Sequence, residues 1–142
     1  LNTAVSQNYA ATLDDIVLDL KKIKTPQTAN HLVVEGAGGV LVPLNDTDTI
    51  IDIIQKDYTV IVVSRHYLGS INHTLLTFEA LKNRNINVSG IIFSGDENKA
   101  SESIILEKTG VPMIGRIDNE PYFDQNVIKY YADLFRENLL NL

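Results

Sequence analysis

Thr59 to Phe93 reads TVIVVSRHYLGSINHTLLTFEALKNRNINVSGIIF, and this stretch decides the fold. Its two ends, Thr59–Val63 and Val88–Phe93, are continuous apolar, β-branched runs, as strands covered on both faces require. Between them, Ile71–Lys82 offers Leu75, Leu76, Phe78 and Leu81 for burial on one helix. Strand, amphipathic helix and second apolar strand predict parallel pairing through a helical crossover.

The same alternation continues outward. Toward the N-terminus, Leu13, Ile16, Val17, Leu20 and Ile23 form one apolar helical face, with Thr12 and Asp15 at its start and Pro26 beyond its end. His31–Val34 reads as a short buried strand running into Glu35-Gly36-Ala37-Gly38-Gly39. Thr49 opens a further helix signal, with Asp52 three residues on and four isoleucines around it. Toward the C-terminus, Ser101 can cap a helix through Lys108, Val111–Ile114 reads as a fourth strand, and Asp124–Leu140 is amphipathic. The prediction is a single α/β domain over residues 1–142, a parallel sheet with helices on both faces. Ligands of such sheets bind outside the carboxyl ends of the strands. Those ends are Glu35–Gly39, Ser64–Asn72, Ser94–Glu97 and Gly115–Glu120.

Composition narrows the chemistry. With 142 residues, 44% of them hydrophobic, the chain can build a core without staples. The absence of cysteine excludes a disulfide framework, a thiolate metal site and a cysteine nucleophile. Twelve basic residues against 18 acidic ones, net −6, argue against nucleic acid or an anionic membrane as partner. Without a membrane-length apolar run or a signal-peptide pattern in Leu1–Ala10, a cytoplasmic location is expected. Residue 1 is Leu and the one methionine is Met113, which favours a piece of a longer chain over trimmed numbering.

Several stretches carry both a chemical and an ordinary reading. Glu35 at the tip of a strand is placed to hold Mg²⁺, and the glycines after it let the backbone approach a phosphate. The ordinary reading is a glycine-rich turn with a solvated acid. Leu68–Thr74 opens a helix where free N–H groups favour an anion, although Ser70 alone fits simple capping. His31, His66 and His73 stand at no metal-ligand spacing and read as structural. Asp46 and Asp48 read as capping residues, Ser94–Asn98 as turn chemistry, and Tyr130, Tyr131 and Phe135 as packing. Neither Gly-x-x-x-x-Gly-Lys-Ser/Thr nor Gly-x-Gly-x-x-Gly occurs.

VVEGAGGVLVPLND (Val33–Asp46) and LGSINHTLLT (Leu68–Thr77), about 30 residues apart, resemble the dethiobiotin synthetases. SGIIFSG (Ser89–Gly95) and VPMIGRI (Val111–Ile117) are similar to the next two strand ends of that family, and Ala4–Asn8 to a degraded Ser-Pro-His segment. The resemblance implies a P-loop NTPase-like fold, here truncated at its N-terminus. It also implies an ATP- and Mg²⁺-dependent ring closure, in which 7,8-diaminononanoate takes up CO2 as a carbamate. ATP phosphorylates the carbamate, and the second amine closes the ureido ring. Carried over, Glu35 is a Mg²⁺ ligand, and Gly36, Ala37 and Gly38 lie against the nucleotide. Gly69, Ser70, Ile71 and Asn72 form a helix-start pocket for the substrate carboxylate, serving the partner subunit of a homodimer. Ser94 and Gly95 stand where the family has Asn-Asp against adenine, and Asp118, Asn119 and Glu120 stand where it has a Pro-led base-binding segment. No catalytic residue is assigned within the chain. Two alternatives are a non-catalytic dimerisation or regulatory module that has lost its nucleotide site, and a related amidoligase, against which LGSINHTLLT argues.

The family's phosphate-binding Lys and Mg²⁺-binding Thr are expected ahead of Leu1. The purified 142-residue chain is therefore expected to be inactive and prone to associate. An assay with ATP, bicarbonate and diaminononanoate checks this, and detectable dethiobiotin would defeat the expectation.

Overall fold

The computed structural model describes residues 5–142, and Ala4, the first residue of the Ala4–Asn8 segment, lies outside them. The chain forms two compact units, Leu1–Lys56 and Asp57–Leu142.

The second unit is the predicted α/β core. Its order is β1 (Val60–Arg65), α2 (Ser70–Asn83), β2 (Val88–Ser94), α3 (Lys99–Thr109), β3 (Met113–Ile117) and α4 (Gln125–Leu140). The three strands pair in sequence order, all parallel, with Val62 opposite Ile91 and Phe93 opposite Arg116. Helices lie on both faces. The Ser64 and Thr74 hydroxyls, 2.7 Å apart, bring α2 to the face that carries Ile91 and Phe93. Arg116 and Glu102 bring α3 to that same face. On the other face α4 lays Tyr131 and Phe135 against Ile61, Ile92 and Ile117.

Gly115 makes that second packing possible. A Cβ there would stand 2.1 Å from Phe135 Cε1, so the ring occupies the space a side chain would need. Asp124 caps α4, accepting from the N–H groups of Asn126 and Val127. The α3 cap is Asn98 rather than Ser101, whose own N–H donates to the Asn98 carboxamide. The β3 strand is displaced two or three residues C-terminal of Val111–Ile114, because Pro112 has no N–H and spends its carbonyl on Ile91 N. Val63, expected to be covered on both sides, is 65% exposed. It sits on β1, the edge strand, on the face that α4 covers only toward β3.

The first unit departs from expectation. Helix α1 (Gln7–Leu13) ends where the predicted helix was to begin. Asp15 adopts φ 54°, Asp15 N bonds Thr12 O, and Ile16 N bonds Ala11 O. That pair of bonds is a Schellman stop, with Asp in the left-handed position usually taken by glycine. Beyond it only a 3-10 turn forms, Leu20–Lys22, and the stripe of Ile16, Val17 and Ile23 is exposed. A stripe stabilises a helix when something covers it, and nothing among the described residues of this unit does. The predicted strand His31–Val34 is likewise unformed, with Val33 90% exposed. It has no neighbouring strand among the described residues of the unit to take its backbone groups. The Thr49 signal is met by a 3-10 turn, Ile50–Ile53, in which the Asp52 carboxylate accepts from Thr49 N and Oγ1, both at 2.8 Å.

Gly115→Ala is expected to lower unfolding stability by about 1–3 kcal/mol through overpacking. Combining it with Phe135→Leu should recover part of the loss. Chemical denaturation of the single and double variants measures the coupling.

Candidate functional site

In the first unit, Glu35 lies exposed in irregular backbone ahead of the glycines. Gly36, Ala37 and Gly38 are exposed too, and Gln7 Nε2 donates to Ala37 O at 3.2 Å. The glycines back onto a turn. A Cβ on Gly36 would meet Ile50 Cγ2 at 2.9 Å, and one on Gly38 would meet Val42 Cγ2 at 3.1 Å. That turn is organised by Asn45, which donates to Leu18 O and the Asp48 carboxylate and accepts from the Thr47 and Asp48 N–H groups. Asp48 and Asp52 are spent on local structure, while Glu35 is left solvated. Among the described residues no group of three or more His, Asp or Glu could hold a metal. That fits Mg²⁺ taken by one carboxylate with water and phosphate oxygens, and does not fit a closed protein cage.

In the second unit the three strand ends meet. His66 N donates to Ser94 O and Gly95 N donates to Ile117 O, each at 2.8 Å. These bonds bring Ser94 and Gly95 to the segment Asp118–Glu120. Gly95 has φ 111°, and a Cβ there would stand 3.3 Å from His66 Cβ, so both backbone and space require glycine. The remaining predicted residues start α2. Gly69 is its left-handed N-cap, at φ 101°, so no side chain caps the first turn. Ser70 N is already bonded to Tyr67 O, and Ser70 is buried. The Ile71 and Asn72 N–H groups remain at the open end of the helix, with Asn72 exposed. Tyr67 OH and His73 Nδ1 hydrogen-bond across this turn.

The residues that hold the strand ends were not singled out as a group by sequence. Glu102 is buried and accepts from His66 Nε2 at 2.9 Å and from Arg116 Nη1 at 3.1 Å. Arg116 also reaches Asp118 at 2.8 Å and Glu97 at 3.5 Å. His66 stacks on Phe93, with ring centroids 5.4 Å apart, which accounts for its structural reading. Burial works to raise the Glu102 carboxyl, but the hydrogen bonds from His66 and Arg116 prevail and hold it below the usual carboxylate range. The bond to Asp118, followed by those to Glu102, raises Arg116 further still. Tyr131 OH donates to Glu120 at 2.6 Å and accepts from Asp118 N at 3.1 Å, and the Glu120 carboxylate together with burial raises its phenol. An arginine inside an apolar strand and a glutamate in the first turn of the preceding helix were the available signals.

Because Glu102 is depressed in the fold, it contributes stability above its unfolded value near 4.5, and that contribution is lost as pH falls through the folded value. Stability should therefore fall below about pH 4.5 in part through this group, and Glu102→Gln should flatten that part of the acid limb. Arg116→Leu, which leaves the buried carboxylate short of a cation, should cost about 2–4 kcal/mol at neutral pH. Denaturation midpoints across pH for the three proteins check both expectations.

The described residues contain no helix long and apolar enough to cross a membrane. Residues 1–127 match the profile of a family described as an AAA domain. Among curated proteins, the ATP-dependent dethiobiotin synthetase of Christiangramia forsetii is 54% identical over 142 residues, all of this chain and 69% of that protein. The enzyme of that name from Cytophaga hutchinsonii is 50% identical over 134 residues, 93% of this chain and 65% of the relative. The one from Brucella anthropi is 40% identical over 139 residues, 97% and 64% of the two chains. The chain thus spans about two thirds of the length of these relatives. With a parallel α/β sheet, a Glu-Gly-Ala-Gly-Gly loop and a glycine-started α2 already in place, the chain belongs to the dethiobiotin synthetase family.

Proposed function

We propose that this chain is part of an ATP-dependent cyclo-ligase of biotin biosynthesis, a cytoplasmic enzyme that closes the ureido ring of dethiobiotin from 7,8-diaminononanoate and CO2. The observation that carries the reading is the 54% identity over the whole chain to a protein of that name. Residues 1–142 read as one functional α/β domain, and Glu35 as the protein ligand of Mg²⁺. Bound Mg²⁺ would supply charge neutralisation at the phosphates during carbamate phosphorylation. The chain's own residues position the reactants. Gly36, Ala37 and Gly38 would lie along the nucleotide, and Ser94, Gly95 and Asp118–Glu120 would flank its base.

The open N–H groups of Ile71 and Asn72, in the turn started by Gly69 and Ser70, would take the substrate carboxylate. We place that pocket at a homodimer interface. The support is the exposed apolar flank around it: Leu68 is 102% exposed, and Tyr67 and Leu76 are exposed as well. The 142 residues hold no Gly-x-x-x-x-Gly-Lys-Ser/Thr run, so the triphosphate cradle is not among them. The alternative reading is a non-catalytic dimerisation or regulatory module.

The complete gene product, supplied with ATP, Mg²⁺, bicarbonate and 7,8-diaminononanoate, should form dethiobiotin. Glu35→Gln should lower kcat by about two orders of magnitude with a small change in the diamine KM. Asn72→Asp, which sets a like charge beside those N–H groups, should do the reverse, raising the diamine KM about tenfold. Absence of ring closure by the complete product would overturn the enzyme reading and leave the module. Sedimentation should give a dimer, and Leu68→Glu should shift it toward monomer.

A further inference from the structure

Tyr131 packs in the core beside Phe135, and its hydroxyl has a separate role at the strand edge. It donates to Glu120 Oε1 at 2.6 Å and accepts from Asp118 N at 3.1 Å, closing the turn between them. From the other side Arg116 Nε donates to the Asp118 carboxylate at 2.8 Å. Both flanking residues of the turn are thereby tied down. Asn119 between them is exposed, and its carboxamide is without a hydrogen-bond partner among the described residues.

Three backbone groups at this edge are already committed. Ser94 O takes the His66 N–H, and Gly95 N and Ile117 O bond each other. The side chains of the edge add further recognition groups. The Ser94 hydroxyl offers one rotatable group. A carboxamide offers a fixed donor and acceptor side by side, which matches the paired hydrogen-bonding edges of adenine, cytosine or guanine.

We propose that Tyr131 is a positioning residue, its hydroxyl clamping the Asp118–Glu120 turn so that the Asn119 carboxamide, not Ser94, meets the hydrogen-bonding edge of the nucleotide base. This rests on the reading above that the strand edge takes the base. Tyr131 touches no reactant. It acts through the turn it holds, and Arg116 supports the same turn through Asp118.

Calorimetric titration of the complete protein with Mg²⁺-ATP, Mg²⁺-GTP and inorganic tripolyphosphate tests it. Asn119→Ala should weaken ATP about tenfold, the scale of one hydrogen bond to the base, and leave tripolyphosphate unchanged. Tyr131→Phe keeps the ring in the core and should show the same pattern with a smaller loss. Asn119→Asp, an acceptor only, should lower the preference for ATP over GTP, because its two oxygens match the adjacent N–H donors of guanine and leave the adenine ring nitrogen without a donor. Phe135→Leu should lower the unfolding midpoint while leaving the ratio of ATP to tripolyphosphate affinity in place. Unchanged ATP binding in Asn119→Ala, or the tenfold loss in Ser94→Ala instead, would overturn the proposal while nucleotide binding stands. Equal losses for ATP and tripolyphosphate in Tyr131→Phe would make the hydroxyl merely structural and also overturn it. Failure of the unsubstituted protein to bind ATP would defeat the underlying reading, and the proposal with it.

Discussion

The buried carboxylate of Glu102 governs the edge of the sheet where the chemistry is expected. It is desolvated on α3, so it needs cations or donors, and it finds them on two different strand ends, His66 after β1 and Arg116 within β3. A charge taken out of water without such partners costs several kcal/mol, more than any single apolar contact in the unit returns. Meeting that requirement fixes the separation of the outer strands and sets α3 over the Phe93 face. Arg116 then spends its Nε–H on Asp118, so the ion network that satisfies the helix also determines where the loop after β3 begins. Fold and candidate site share one set of bonds.

The second unit was legible from sequence because its signals are redundant. Apolar strands, one helix per crossover and glycine or asparagine at the turns all specify the same parallel topology, and the two middle elements fall within a residue or two of expectation. Hydrophobic period alone was the evidence in the first unit, and it proved insufficient. The stripe from Leu13 to Ile23 has helical spacing, yet Asp14 and Asp15 end the preceding helix, and no surface in the unit rewards the stripe for coiling. His31–Val34 has strand composition without a ladder partner. Periodicity reports what a segment is able to bury. It does not say what the segment will meet.

The candidate site shows the same division. Position could be read: strand ends, the glycine before α2 and the acid after Val34 are visible in one dimension. Support could not, since the glutamate partners of Arg116 stand 14 and 19 residues away and the partners of Tyr131 stand 11 and 13 away, outside their own elements. Tyr131 illustrates the difficulty, because helical spacing identifies its ring as core and says nothing of where its hydroxyl ends up. Ser70 is the opposite case. It has the chemistry of a ligand-binding residue in the right motif, and the fold turns its side chain inward.

The strand order has a kinetic meaning. Neighbouring strands in the sheet are neighbours in sequence, so every pairing closes over a single crossover and the entropic cost of loop closure stays small. A chain emerging from the ribosome can dock β1, α2 and β2 while the rest is still being made. The exception is the carboxylate of Glu102, which precedes its guanidinium partner in the chain. Until β3 arrives, burying that carboxylate is opposed, and α3 is held back from final docking. Arrival of Arg116 removes the opposition and lets helix and strand consolidate together, which makes the last pairing of the sheet its most cooperative one.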